Sequence, residues 1–95
     1  MPTTPPLTCF IVTWEVSLLA VGPLQEALKA FSPWYCPIHA NAWAIVTDKD
    51  AKAIVERLVP IIGPQGRLFV IRSGTIAAWS NLYGAQWEQW LKINL

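Results

Sequence analysis

LTCFIVTWEV, residues 7–16, is the stretch that decides the fold of this chain. It is rich in β-branched and aromatic residues, which is typical of a strand in the middle of a sheet. Successive side chains point to opposite faces of such a strand. One face carries Cys9, Ile11, Thr13 and Glu15, and the other carries Phe10, Val12, Trp14 and Val16. Both faces are largely apolar, so we expect both to be covered.

A helix and a hairpin are predicted next. Gly22-Pro23 is predicted to open the helix. Proline is favoured at the first helical position, because the N–H that it lacks would have no hydrogen-bond partner in the helix there. Ser32-Pro33 ends the helix. Strands at residues 34–38 and 41–47 then form a hairpin around His39-Ala40.

A second helix and a fourth strand follow. Thr47-Asp48 offers the cap chemistry of a helix start, and Pro60 with Gly63-Pro64 marks its end. The apolar stripe of this helix consists of Ala51, Ile54, Val55, Leu58 and Val59. Residues 63–66 (GPQG) are interpreted as a turn and not a phosphate loop, because a strand, residues 67–72, follows them.

The order β-α-β-β-α-β predicts an α+β fold, the ferredoxin-like arrangement, with the expected strand order 4-1-3-2. Residues 1–6, with three prolines, are predicted to be a flexible leader, and residues 7–95 a single domain. Residues 73–95 form a tryptophan-rich C-terminal extension. Helical spacing of Tyr83, Trp87, Trp90 and Leu91 predicts a helix that, with Trp79, covers sheet surface or a partner chain.

Two cysteines, Cys9 and Cys36, show neither metal-site nor redox spacing and are interpreted as buried thiols. In the expected strand order they lie about two strand spacings apart, roughly 9–10 Å. A disulfide requires Cα atoms closer than about 7 Å. The topology therefore predicts no bridge between them.

The composition indicates a partner chain. Of 95 residues, 54% are hydrophobic and six are Trp, while only 14% are charged, against about 25% in ordinary domains. This excludes intrinsic disorder. A chain this short buries only a little over roughly 60% of its unfolded surface. We therefore expect a second chain to cover part of the apolar surface.

Charge and hydropathy also bear on partners and location. The net charge is +1 and the seven basic residues are dispersed, so no patch typical of nucleic-acid binders is visible. Residues 7–24 are apolar, but Glu15 lies in the middle and Gly22-Pro23 near the end, which argues against a membrane span. No basic n-region of a signal peptide precedes the stretch. We expect a cytoplasmic protein of a bacterium-like cell, with no membrane partner.

Few residues carry recognisable chemistry. Glu15 is the main candidate, as a hard oxygen ligand for Mg²⁺ or Mn²⁺ or as a solvated strand-end carboxylate. His39, the single histidine, is either a general base or metal ligand or a turn residue without a specific role. Arg67 and Arg72 flank the last strand, where they either meet phosphate or deter strand pairing. The tryptophans, Trp14, Trp34, Trp43, Trp79, Trp87 and Trp90, fit packing better than base stacking.

Several motifs resemble one group of proteins. Residues 10–16 (FIVTWEV) are similar to a first strand of the form YLIxYDL, and a tryptophan-rich hairpin follows, leading into Thr47-Asp48. Ala77-Ala78-Trp79 and the ending WLKINL (residues 90–95) complete the pattern. The chain thereby resembles the SinR-like small bacterial proteins, which are related to the CRISPR-associated Cas-two family.

This resemblance implies a ferredoxin-like homodimer. In the related CRISPR proteins an acidic residue closes the first strand and meets its copy across the dimer axis, holding a divalent metal in members with nuclease activity; other members are non-catalytic scaffolds for nucleic acid. Here Glu15 stands at that position in place of Asp, and residues 63–67 hold no acidic counterpart.

Two hypotheses follow from the resemblance and the charge pattern. The first is a non-catalytic homodimeric assembly or nucleic-acid-associated module that requires no cofactor. The alternative is an Mg²⁺- or Mn²⁺-dependent endonuclease with Glu15 as catalytic residue and metal ligand, paired across the dimer axis.

Overall fold

The computed structural model describes residues 7–74 and 83–94. They form, in chain order, β1 (Thr8–Glu15), α1 (Leu18–Phe31), β2 (Tyr35–His39), β3 (Ala42–Thr47), α2 (Ala51–Ile62), β4 (Arg67–Arg72) and α3 (Ala85–Asn94). The first six elements follow the predicted order, and the predicted helix of the C-terminal extension is present as α3. The expected leader, residues 1–6, and the Ala77-Ala78-Trp79 motif lie outside the described residues.

The four strands form one antiparallel sheet in the order β2-β3-β1-β4, which from the other edge is β4-β1-β3-β2. The strand that begins at residue 8 is thus central, with β3 on one side and β4 on the other. At its middle, Val12 lies opposite Trp43 of β3 and Val70 of β4. The protein is a mixed α+β fold.

Helices α1 and α2 pack on one face of the sheet and enclose the larger core. Alternate residues of β1 and β3 meet the apolar stripes of both helices there. The cluster consists of Phe10, Val12, Trp14, Leu24, Ala27, Leu28, Trp43, Ile45, Ile54, Leu58 and Ile62. The Trp43 ring stacks on Tyr35 at 4.7 Å and meets Trp14 edge-on at 6.2 Å. Trp14 and Trp43 therefore serve packing, as predicted.

Helix α3 covers part of the opposite face. Its Leu91 is 2% exposed and joins a smaller cluster with Cys9, Cys36, Ala44 and Val46. Trp87 and Trp90 are half-buried and pack against the same cluster. The tryptophan-bearing helix thus covers sheet surface, one of the two roles expected of it.

Helix α1 corrects the prediction of its start. It begins at Leu18, four residues before Gly22, and contains Pro23. The carbonyl that Pro23 leaves without an N–H donor is that of Leu19, four residues earlier. Leu19 is 91% exposed, so water can solvate this carbonyl, and the helix tolerates the proline.

Helix α2 differs from its prediction at its start and agrees with it at its end. Its cap is Asp50 and not Thr47-Asp48: the Asp50 carboxylate accepts a hydrogen bond from the Ala53 N–H at 2.8 Å. Pro60 lies inside the helix, which ends at Ile62 with Gly63 as its C-terminal cap, as Gly63-Pro64 indicated. The turn predicted at residues 63–66 is present; Gly63 has φ +73°, and a Cβ at Gly66 would lie 2.7 Å from the Ile62 carbonyl oxygen. Both glycines are therefore required for the sharp entry into β4.

Both cysteines are buried free thiols. Strand β3 separates their strands: Cys9 lies opposite Val46 and Cys36 opposite Ala44. Burial raises the pKa of Cys9, against a lowering contribution from its hydrogen bond with Ser73. Burial and, to a smaller extent, the neighbouring Cys9 raise the pKa of Cys36 to about 11. Both groups are therefore protonated and poorly nucleophilic at neutral pH.

Within residues 7–74 and 83–94, no helix combines the length and the apolar character needed to cross a membrane.

Candidate functional site

Three of the singled-out residues meet at one end of the sheet. Because the neighbouring strands are antiparallel, the end of β1, the start of β4 and the β2–β3 turn all lie at this end. They surround an open cleft of about 350 Å³, which we call the end cleft. Its lining includes Thr13, Glu15, His39, Asn41, Arg67 and Phe69.

Glu15 and Arg67 face each other across the end cleft's β1–β4 edge. The two residues are register partners, and the Arg67 guanidinium donates a hydrogen bond to the Glu15 carboxylate. Their side chains are 71% and 77% exposed, respectively, so the ion pair is well solvated. Such exposed pairs contribute only about 0–1 kcal/mol to stability. The two opposite charges therefore lie side by side at the surface and are not buried in the core.

His39 and Asn41 form the other wall of the cleft. The Asn41 backbone N–H donates to His39 Nδ1 at 3.3 Å, which places the proton of the neutral imidazole on Nε2. The Asn41 carbonyl accepts from the Trp14 N–H at 3.0 Å and holds the turn against β1. His39 is exposed and has no carboxylate partner among the described residues, so the geometry shows no catalytic pair.

The end cleft offers little to a divalent metal. Among the described residues, Glu15 is the single acidic side chain that lines it, and Arg67 already binds that carboxylate. Across the described ranges, no three His, Cys, Asp or Glu side chains are grouped as a metal site. Mg²⁺ takes about six oxygen ligands in near-octahedral geometry. Within the described residues, one chain therefore offers such an ion a single carboxylate at this cleft, and the remaining ligands would have to be water, phosphate or a second chain.

A strip of apolar side chains lies beside α3 on the same sheet face. We call Ile11, Phe69 and Ile71 the open strip. Ile11 and Ile71 are register partners, and Phe69 lies opposite Thr13. Phe69 is 58% and Ile71 49% exposed, whereas Ile11 is half-buried against the α3 cluster. Among the described residues, α3 thus covers the β2–β3 half of this face and leaves the β4 half open.

The remaining candidates lie apart. Arg72 is at the far end of β4, opposite Phe10, so the two arginines do not form one anion site. Trp34 precedes β2 and is 57% exposed, so the packing role predicted for it is not met within the described chain. Trp79 lies outside the described residues.

Two contributors to the site were missed at the sequence level. Phe69 lies in a strand, RLFVIR, whose four central residues are all apolar. Without an alternation of polar and apolar residues, the sequence does not indicate which face of this strand is exposed. Asn41 was placed in a strand, whereas it lies in the turn before β3. The signal for Asn41 was available, because asparagine favours turns over strands.

Comparison of the chain with protein-family models, with curated proteins and with solved structures finds no match.

Proposed function

We propose that this chain is a ferredoxin-like, non-catalytic assembly module that acts as a homodimer in the bacterial cytoplasm. The main observation behind this proposal is the open strip. The sequence motifs that resemble SinR-like proteins of the Cas-two group also support a homodimer. The strand order β2-β3-β1-β4, with α1 and α2 on one face, is compatible with the ferredoxin-like class.

The open strip favours a partner of its own kind. Phe69 and Ile71 expose large apolar side chains on a face whose other half is already covered by α3. Two copies related by a two-fold axis would lay apolar strip against apolar strip. Glu15 and Arg67 lie at one end of the strip and carry opposite charges. In a two-fold pairing, each charge of one copy can therefore face an opposite as well as a like charge of the other copy.

Light scattering during size-exclusion chromatography tests this pairing. The wild-type chain of 10.6 kDa is expected at twice its mass, and Ile71→Asp at the monomer mass, because the substitution places a carboxylate in the apolar contact. Val59→Asp is the matched control: Val59 is 50% exposed, close to the 49% of Ile71, but lies on α2. The same mass for both variants would contradict the open strip as the interface.

The endonuclease alternative requires a second Glu15 and a metal ion. The geometry offers it less support, since Arg67 binds the Glu15 carboxylate and no other acidic residue of the described part of the chain lines the end cleft. Purified protein incubated with Mg²⁺ or Mn²⁺ and single- or double-stranded DNA and RNA is expected to leave the nucleic acid intact. Cleavage that disappears in Glu15→Ala would overturn the non-catalytic assignment.

A further inference from the structure

We propose that the end cleft binds a free α-amino acid with an apolar side chain. The charges at the cleft select for this class. Glu15 and Arg67 are adjacent register partners, one anion beside one cation. An α-amino acid carries an ammonium and a carboxylate on the same carbon, and so presents the complementary pair at the same short separation.

Both charged groups retain free hydrogen-bonding capacity. Arg67 has five N–H donors, and the hydrogen bond to Glu15 uses one of its terminal nitrogens. The Glu15 carboxylate offers two oxygens, one of which accepts from Arg67. Since an exposed ion pair stabilises a protein little, the ligand's carboxylate and ammonium can replace part of it at small cost. His39 Nε2, which carries the proton of the neutral ring, is a further donor on the opposite wall.

The rest of the cleft favours an apolar side chain. Phe69, which is 58% exposed, supplies its main apolar surface, and Leu68 and the buried Trp14, whose side chains belong to the opposite sheet face, also line it. Among the described residues of the lining, Glu15 and Arg67 are the charged ones. Its volume of about 350 Å³ lies within the roughly 300–1,000 Å³ typical of small-ligand sites. A phenylalanine or leucine side chain would be packed against the exposed face of Phe69.

Other ligand classes satisfy the lining less well. A phosphate or nucleotide brings further negative charge to Glu15, and a simple cation meets Arg67. A neutral apolar compound uses neither charge. A peptide terminus carries only one of the two charges at its end. A free zwitterionic amino acid can pair with both Glu15 and Arg67.

Isothermal titration calorimetry with four compounds tests the assignment. L-phenylalanine and L-leucine are expected to bind, whereas N-acetyl-L-phenylalanine, without the ammonium, and L-phenylalanine amide, without the carboxylate, bind at least about tenfold more weakly. Glu15→Gln is expected to weaken the binding of L-phenylalanine and to leave the binding of N-acetyl-L-phenylalanine unchanged. Arg67→Gln is expected to weaken the binding of L-phenylalanine and to leave the binding of L-phenylalanine amide unchanged.

The control and the contrary results are as follows. Glu26→Gln, an exposed carboxylate on α1 outside the cleft lining, is expected to bind as the wild type does. Because the homodimer proposed above covers Phe69, L-phenylalanine is expected to bind the monomeric variant Ile71→Asp more tightly than the wild type. Absence of binding by both the wild type and Ile71→Asp would overturn the proposal. Equal affinity for the zwitterion and its two blocked derivatives would overturn it too.

Discussion

Replacement of Leu91 by alanine is predicted to loosen helix α3 from the sheet. Leu91 is 2% exposed and is the one fully buried side chain that α3 contributes to the cluster around Cys36. Buried Leu→Ala replacements cost about 2–5 kcal/mol, and a peripheral helix that can relax into the cavity points to about 2–3 kcal/mol. For a domain of this size that lowers Tm by about 10–20 °C.

The assay is urea unfolding followed by tryptophan fluorescence. Ile93→Ala is the matched control, since Ile93 lies on the same helix but is 70% exposed, and its replacement should change the free energy of unfolding by less than about 0.5 kcal/mol. A second readout is Cys36, whose Sγ lies 3.9 Å from the Trp87 carbonyl oxygen. Loosening α3 is expected to speed the reaction of this thiol with a disulfide reagent. Equal stability and equal thiol reactivity of the two variants would refute the docking of α3 described above.

Three further outcomes are expected. Asp50→Ala should lower the free energy of unfolding by about 1 kcal/mol, because α2 loses its cap. Asp48→Ala, two residues before the cap, should not lower it, and urea titrations compare the two variants. Because the pKa of Cys36 rises from 9.0 to about 11 on folding, the folded state keeps a proton that the unfolded chain releases, so stability should fall between pH 9 and about 11, and less steeply in Cys36→Ala. Glu15→Gln should leave the free energy of unfolding within about 1 kcal/mol of the wild type, because its ion pair with Arg67 is exposed; a larger loss in thermal or urea unfolding would show a structural role.

The strands were predictable because their chemistry is local. Residues 7–16 and 67–72 are β-branched and apolar beyond what a loop tolerates, and β1 and β4 occupy them almost completely. The helix starts were not. Pro23 has the residue type of a first helical position, but the structure places it inside α1, where the exposed position of Leu19 lets water replace the missing hydrogen bond.

The end cleft shows a different limit of sequence reasoning. Glu15, His39 and Arg67 each stood out by residue type, yet nothing in their spacing placed them around one cavity. Their meeting follows from the antiparallel pairing of β1 with β3 and β4. Phe69 is an exposed part of the site because its register places it opposite Thr13, on the half of the sheet face that α3 leaves open among the described residues; that is a property of tertiary packing.

The mass of the wild-type protein in solution tests the central claim most directly. Sedimentation equilibrium at micromolar concentration is expected to give twice 10.6 kDa, because the open strip is apolar and half-exposed in a single chain. A mass of 10.6 kDa that persists as the concentration is raised would contradict the homodimer and, with it, the proposed role of the open strip.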